Sequence, residues 1–227
     1  MSTRPAARPH RTSQEHAVEW LRGAIVAREL RPGQRVGQEE VAERIGVSVV
    51  PVREALRVLE QEGQLTYLPR RGYFVTELSV ADLDEIYALR AVLEARAVRH
   101  ALPALDAEAL DRMARAARDC VDAALAGDVA AELEANRRFH FAILESPDQP
   151  HVLRLIRVLW DSTESYRALY YNSEQERNNA VAAHDRIMAA VREGDAELLV
   201  SELDAHRERA LTVLRGILVD PVDPAGG

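Results

Sequence analysis

Three of the seven histidines stand in segments with helical periodicity in the second half of the chain. His140 closes Asn136-Arg137-Arg138-Phe139-His140, His184 lies in Ala182-Ala183-His184-Asp185-Arg186-Ile187, and His206 in Leu203-Asp204-Ala205-His206. Neutral imidazole is the commonest metal-ligating side chain. Asn136 and His140 are four residues apart and so project from one helix face. Imidazoles from two further helices could complete a metal site inside a helical bundle, where such sites are commonly built. A single histidine on an amphipathic helix is more often a packed or solvated group, and spacing alone leaves both readings open. His10, His100 and His151, near the N-terminus or at helix ends, carry no such pattern. Trp20, Trp160, Phe139 and Phe141 read as core, and Tyr166, Tyr170 and Tyr171 cluster where they would line either a pocket or a dimer interface.

The second chemistry is polyanion binding. All 29 basic residues are arginine and the net charge is −8, which opposes nucleic-acid binding by bulk charge. The distribution is uneven: residues 1–78 hold 12 arginines and 10 acids, residues 79–227 hold 17 and 27. Any nucleic-acid surface therefore belongs to the first third and works through local charge. An enzyme is disfavoured. There is no His-Glu-x-x-His element, nucleophile motif or glycine-rich phosphate loop, and Glu145 and Asp185 lack the spacing of a general base. Cys120 is the lone cysteine, no run of 18 apolar residues exists, and the N-terminus has no apolar signal core. These features predict a cytoplasmic protein with no membrane association.

The elements that must position these residues divide the chain in two. Residues 1–12, with Pro5, Pro9, three arginines and no acid, read as a disordered arm. A helix is expected over 13–29, a short one over 38–45 ended by Gly46, and another over 49–62 ended by Gly63. Two β-like runs, 65–68 and 73–76, flank Pro69-Arg70-Arg71-Gly72 in a hairpin signature. This order is that of a winged helix-turn-helix over 13–78. Its recognition helix, capped by Ser48 with Pro51 in the first turn, would present Ser48, Val49, Val50 and Arg53 to the major groove. Arg70, Arg71 and Gly72 would approach the backbone or minor groove from the wing. From Ser79 to 218 every segment is helical: 79–101, 106–126, 128–145, 149–170, 174–193 and 195–217, punctuated by Pro103, Gly127, Pro147/Pro150, Asn172 and Gly194. The fold class is mostly α, an N-terminal winged helix-turn-helix plus a C-terminal all-α bundle, with a disordered tail at 219–227.

Residues 13–78 resemble the DNA-binding domain of the GntR family through Leu30-Arg31-Pro32-Gly33, Ile45-Gly46-Val47-Ser48, Pro51-Val52-Arg53-Glu54-Ala55-Leu56, Leu59-Glu60 and Arg71-Gly72-Tyr73-Phe74-Val75. One departure is Ser48-Val49-Val50-Pro51 where the family usually reads Ser-Arg-Thr-Pro; another is Glu39, where some members place a basic residue. Residues 79–217 resemble the FCD effector domain of the FadR subfamily, in its six-helix VanR-like form, through the run Ala81–Arg90, Asn136 with His140, and the positions of His184 and His206. That resemblance implies a divalent metal on Asn136, His140, His184 and His206, zinc first and nickel or manganese next. Three imidazoles and an amide would leave the ion's charge uncompensated, so a small carboxylate effector is expected, with Arg90 a second contact or else paired to Glu85 or Glu94. The whole reads as a homodimeric repressor on an inverted-repeat DNA operator. A metal-sensing regulator and a metal-dependent hydrolase are the alternatives.

Overall fold

The computed structural model describes residues 12–145 and 148–219. The expected arm apart from Thr12, the break expected at Pro147, and the expected tail beyond Val219 thus lie outside the described residues. The chain divides into two compact units that meet in sequence at Thr76 and Glu77. Among the described residues, no helix is long and apolar enough to cross a membrane.

The first unit contains α1 (Ser13–Val26), β1 (Arg35–Val36), α2 (Gln38–Ile45), α3 (Val49–Gln61), β2 (Leu65–Leu68) and β3 (Gly72–Val75). Thr12 and Glu15 cap α1 reciprocally, each side chain accepting the other's backbone N–H. α1 ends three residues before the expected 29, because Leu30 N–H bonds back to Ala24 O and Arg28 takes a positive φ of 58°. Between α2 and α3, Gly46 adopts φ 72°, ψ 34°, the left-handed turn that the sequence anticipates. Ala17, Leu21, Val52, Leu56, Leu59 and Val75 are buried together as the core. The three strands are antiparallel in the order β1-β3-β2, with Thr66 opposite Phe74 and Leu68 opposite Gly72. β1 went unforeseen because two residues carry no alternation to read.

The second unit contains α4 (Val80–Ala101), a 3-10 turn at Leu102–Ala104, α5 (Ala107–Ala126), α6 (Val129–Leu144), α7 (Pro150–Ser162), α8 (Glu164–Tyr171), α9 (Glu174–Glu193) and α10 (Ala196–Val219). Ser79 and Asp82 form a capping box on α4, while Asp106, Asp128 and Ser173 cap α5, α6 and α9. Met113, Phe139, Trp160, Ile187 and Leu199 anchor the shared core. One difference from the sequence reading matters. The single helix expected over 149–170 is two helices, broken at Thr163 with φ −105° and ψ 4°. The Thr163 hydroxyl donates to the carbonyls of Leu159 and Trp160, 3.2 Å each, and the Ser162 hydroxyl donates to Leu159 O. Hydroxyls that compete in this way for backbone acceptors interrupt helices without any glycine or proline signal.

No atom lies within 4 Å of where a Cβ at Gly46 would sit, so a substitution there tests backbone conformation alone. Gly46→Ala should lower the stability of the first unit by about 1 kcal/mol, read as a reduced urea midpoint at unchanged slope.

Candidate functional site

α6 carries Asn136 and His140 inward, α9 brings His184 and α10 brings His206. The ring centroids of His140, His184 and His206 lie 5.3–5.4 Å apart, and each ring offers a nitrogen within 4.8 Å of the others. That is close to the spacing one ion spans. His184 Nε2 lies 3.1 Å from Asn136 Oδ1, so all four predicted residues converge. His140 is only 3% exposed, yet among the described residues neither of its ring nitrogens has a hydrogen-bond partner, nor does His184 Nδ1. Buried polar nitrogens without partners cost about 1–3 kcal/mol each, and a cation would satisfy them. Burial, with the neighbouring imidazoles, holds His140 and His184 far below the usual histidine range; burial with Arg90 and Arg207 brings His206 to about 4. The three rings are therefore neutral near pH 7, the form that ligates metal. The donor set fits a divalent cation.

Beside the triad is a small pocket lined by Tyr87, Arg90, Trp160, Arg167, Tyr170 and Arg207 among others. Arg90, the predicted effector contact, lines it but is committed: its Nε donates to Glu94 Oε1 at 2.8 Å. The same carboxylate accepts from Trp160 Nε1 at 2.8 Å and from Arg207. Burial alone would raise the Glu94 carboxyl, but the charges of Arg90 and Arg207 outweigh it and hold it below its ordinary value. Arg167 has no such partner. It is 5% exposed, sits 4.4 Å from the Trp160 ring centroid, and its closest polar contact is Thr163 Oγ1 at 3.5 Å. Burial and the nearby Arg90 pull its pKa down to about 10. Its Nε and the Tyr87 hydroxyl have no hydrogen-bond partner among the described residues, while the Tyr170 hydroxyl interacts with Glu176. Sequence reasoning missed Arg167 because the expected unbroken helix 149–170 gave no reason for α8 to turn it inward. The tyrosine cluster divides: Tyr170 and Tyr171 line the pocket, while Tyr166 accepts the Leu78 N–H at 2.7 Å.

In the first unit, Ser48, Val50 and Arg53 are exposed at the start of α3, Val50 at 65%. Two details correct the sequence reading. Ser48 occupies the N-cap position but its hydroxyl makes no capping bond, and Val49 is half-buried against the core rather than turned outward. Arg53 Nε donates to Gln38 Oε1 at 3.3 Å and has no acidic partner. Glu39, on the exposed first turn of α2, sits where a helix dipole favours an acid. In the wing, Arg70 takes a positive φ of 66° after Pro69, and Arg71 N–H closes the turn on Leu68 O. Gly72 has φ 94° beside the side chain of Arg35, whose Nε donates to Arg71 O at 3.1 Å. Arg35 thus joins Arg70 and Arg71 in one basic cluster; its strand was too short to be foreseen.

Residues 13–75 match the model for bacterial regulatory proteins of the gntR family, and residues 85–209 match the FCD domain. This chain belongs to the GntR family, in its FCD-bearing form. As a GntR regulator it is a DNA-binding transcription factor and not an enzyme, and its relatives are of the same kind. The HTH-type transcriptional regulator YdhC of Bacillus subtilis is 29% identical over 83% of this chain and 84% of its own length. The Nta operon transcriptional regulator of Aminobacter aminovorans is 27% identical over 86% and 93%. The structure of E. coli McbR/YncC superposes with a TM-score of 0.79 at 25% identity, covering 91% of this GntR chain and 98% of that one.

One buried group in this GntR protein works against folding at neutral pH. Glu132, one helical turn before Asn136, is 1% exposed with Oε2 unpartnered. Burial, only partly countered by Arg177, pushes its pKa up to about 7. A carboxyl raised on folding leaves stability intact below its unfolded pKa and removes it as pH rises towards 7. Glu132→Gln should therefore match the parent at pH 4 and exceed it by roughly 3 kcal/mol at pH 8, in urea unfolding at both values.

Proposed function

We propose that this protein is a ligand-responsive repressor whose FCD domain holds a divalent metal and a small carboxylate effector in one pocket. The observation that carries the reading is His140, buried with both ring nitrogens unpartnered beside two further neutral imidazoles. Asn136, His140, His184 and His206 would hold the ion, with zinc the first candidate for such a nitrogen-rich set. A bound ion supplies two positive charges that its neutral ligands leave uncompensated, which attracts an anion. Arg167, a buried guanidinium with no ion pair among the described residues, is the residue we assign to the effector's carboxylate, with the Tyr87 hydroxyl to complete the hydrogen bonding. Arg90 then acts on Arg167 by like-charge repulsion and holds Glu94 in place.

Residues on α8 connect the pocket to the start of the domain. Arg167 and Tyr170 face the pocket, and Tyr166, on the same helix, grips the backbone at Leu78 just before α4. An effector that reseats α8 would thus shift the segment that leads to the DNA-binding unit. The protein would bind as a homodimer on an inverted repeat, since one winged helix covers a half-site whose spacing is geometrically fixed. Leu89 and Val92 on α4 and Leu155 and Val158 on α7, all exposed, supply an apolar face suited to a second copy.

At the DNA, Arg53→Ala should weaken operator binding by roughly 1–3 kcal/mol, and an unchanged affinity at physiological salt would remove Arg53 from the interface.

For the effector, zinc-loaded protein is screened against small mono- and dicarboxylates by thermal shift and by operator release. A ligand at 100 times its dissociation constant should add about 2.7 kcal/mol of stability, and only with metal present. His140→Ala and His184→Ala should lose metal and response together, whereas Arg167→Gln should keep the metal and lose the response. Folded histidine variants that respond normally would refute the metal-docking reading; operator release by zinc alone would make the protein a metal sensor instead.

A further inference from the structure

The outer side of the second unit carries a groove of about 510 Å³ between α5, α6 and α7. Six arginines line it: Arg112, Arg115 and Arg118 on α5, Arg137 and Arg138 on α6, and Arg157 on α7. Only two acids, Asp119 and Glu145, share that lining. The surrounding sequence, residues 79–227, has 17 arginines and 27 acids, so this concentration runs against the charge of its own domain.

Four of the arginines are paired. Arg112 meets Glu108, Arg137 meets Asp161, Arg138 meets Asp119 and Arg157 meets Glu145, at 2.6–3.1 Å. Arg115 and Arg118 are exposed and have no hydrogen-bond or ion-pair partner among the described residues. They lie one turn apart on α5, in line with Arg112, and like charges at that spacing destabilise a helix. The groove floor is Phe141 and Ala142, with Arg137 held 4.6 Å from the Phe141 ring. Solvated surface charge explains one such arginine. It does not explain two neighbouring unpaired arginines facing a concave wall that carries three more.

We propose that this groove is a second ligand site, separate from the histidine pocket, for a small molecule bearing two or more linked phosphates. Guanidinium forks match phosphate oxygens in planar, bidentate geometry, and the neighbouring pair Arg115 and Arg118 suits an anion with more than one phosphate. A monocarboxylate would leave most of this charge unmet. The site also touches the other pocket: Phe141 packs edge-on against Trp160 at 5.4 Å, and Trp160 lies 5.2 Å from His140. An anion that draws Arg137 off Phe141 would therefore perturb the wall of the histidine pocket.

The test is calorimetric titration of the full-length protein with inorganic pyrophosphate, with orthophosphate in parallel. Pyrophosphate should bind at least tenfold more tightly than orthophosphate, and its affinity should fall with added salt. The double variant Arg115→Gln/Arg118→Gln should lose at least tenfold in pyrophosphate affinity. Its melting temperature should hold or rise, because neither side chain has a partner to lose and their mutual repulsion is relieved. Arg167→Gln, in the other pocket, should bind pyrophosphate as the parent does. The proposal is overturned by the absence of pyrophosphate binding at millimolar concentration. It is equally overturned by undiminished binding in the double variant, which would assign the anion to the arginines of the DNA-binding unit. Because the readout is pyrophosphate alone, its failure leaves the metal and carboxylate reading untouched.

Discussion

Beneath the histidine triad, Glu94 accepts hydrogen bonds from Arg90 on its own helix, from Trp160 on α7 and from Arg207 on α10. A carboxylate 2% exposed is tolerable only with such compensation, since an unpaired buried charge costs several kcal/mol. The bonds therefore fix where α4, α7 and α10 meet. That junction orients Trp160, against which His140, Arg90 and Arg167 all pack. The pocket's shape follows from satisfying one buried charge.

The same arrangement leaves the pocket with an excess of positive charge. Arg90 and Arg207 are neutralised by Glu94, with Asp204 also bonded to Arg207, but Arg167 is not neutralised. Beside it stand three imidazoles kept neutral by burial and the Tyr87 hydroxyl, which has no partner among the described residues. Natural interiors rarely keep so many buried polar atoms unpaired. Their concentration in one place is what supports the proposed metal and effector site. The stability forgone there, and at Glu132, is consistent with a domain that gains order on binding.

The DNA-binding unit follows a different logic. Its core is satisfied and its chemistry lies on the surface, where Arg53, Arg35, Arg70 and Arg71 have no carboxylate partner among the described residues. With Val50 exposed and Val49 packed inward, the first turn of α3 offers apolar rather than charged contact. On the DNA contacts proposed above, sequence discrimination would rest on methyl contacts and on Arg53, while the wing would supply the charge.

Much of this was legible in the sequence. Gly46, the Ser79–Asp82 box and the 3.6-residue apolar period each act within a few residues, so they declare the helices and their ends wherever the chain is read. The spacing of Asn136 and His140 likewise fixes a shared face, and the family resemblance named the four ligand positions. What the tertiary structure decided is everything that depends on which helices meet. Periodicity describes one helix at a time, so it could not say that His184 and His206 reach His140, or that Arg90 is bound to Glu94. It could not foresee the break at Thr163 either, because hydroxyls that take over backbone carbonyls leave no apolar gap in the pattern. Through that break Arg167 is carried into the pocket, and its lack of an ion pair among the described residues, on which its proposed role rests, is something only packing in three dimensions can reveal.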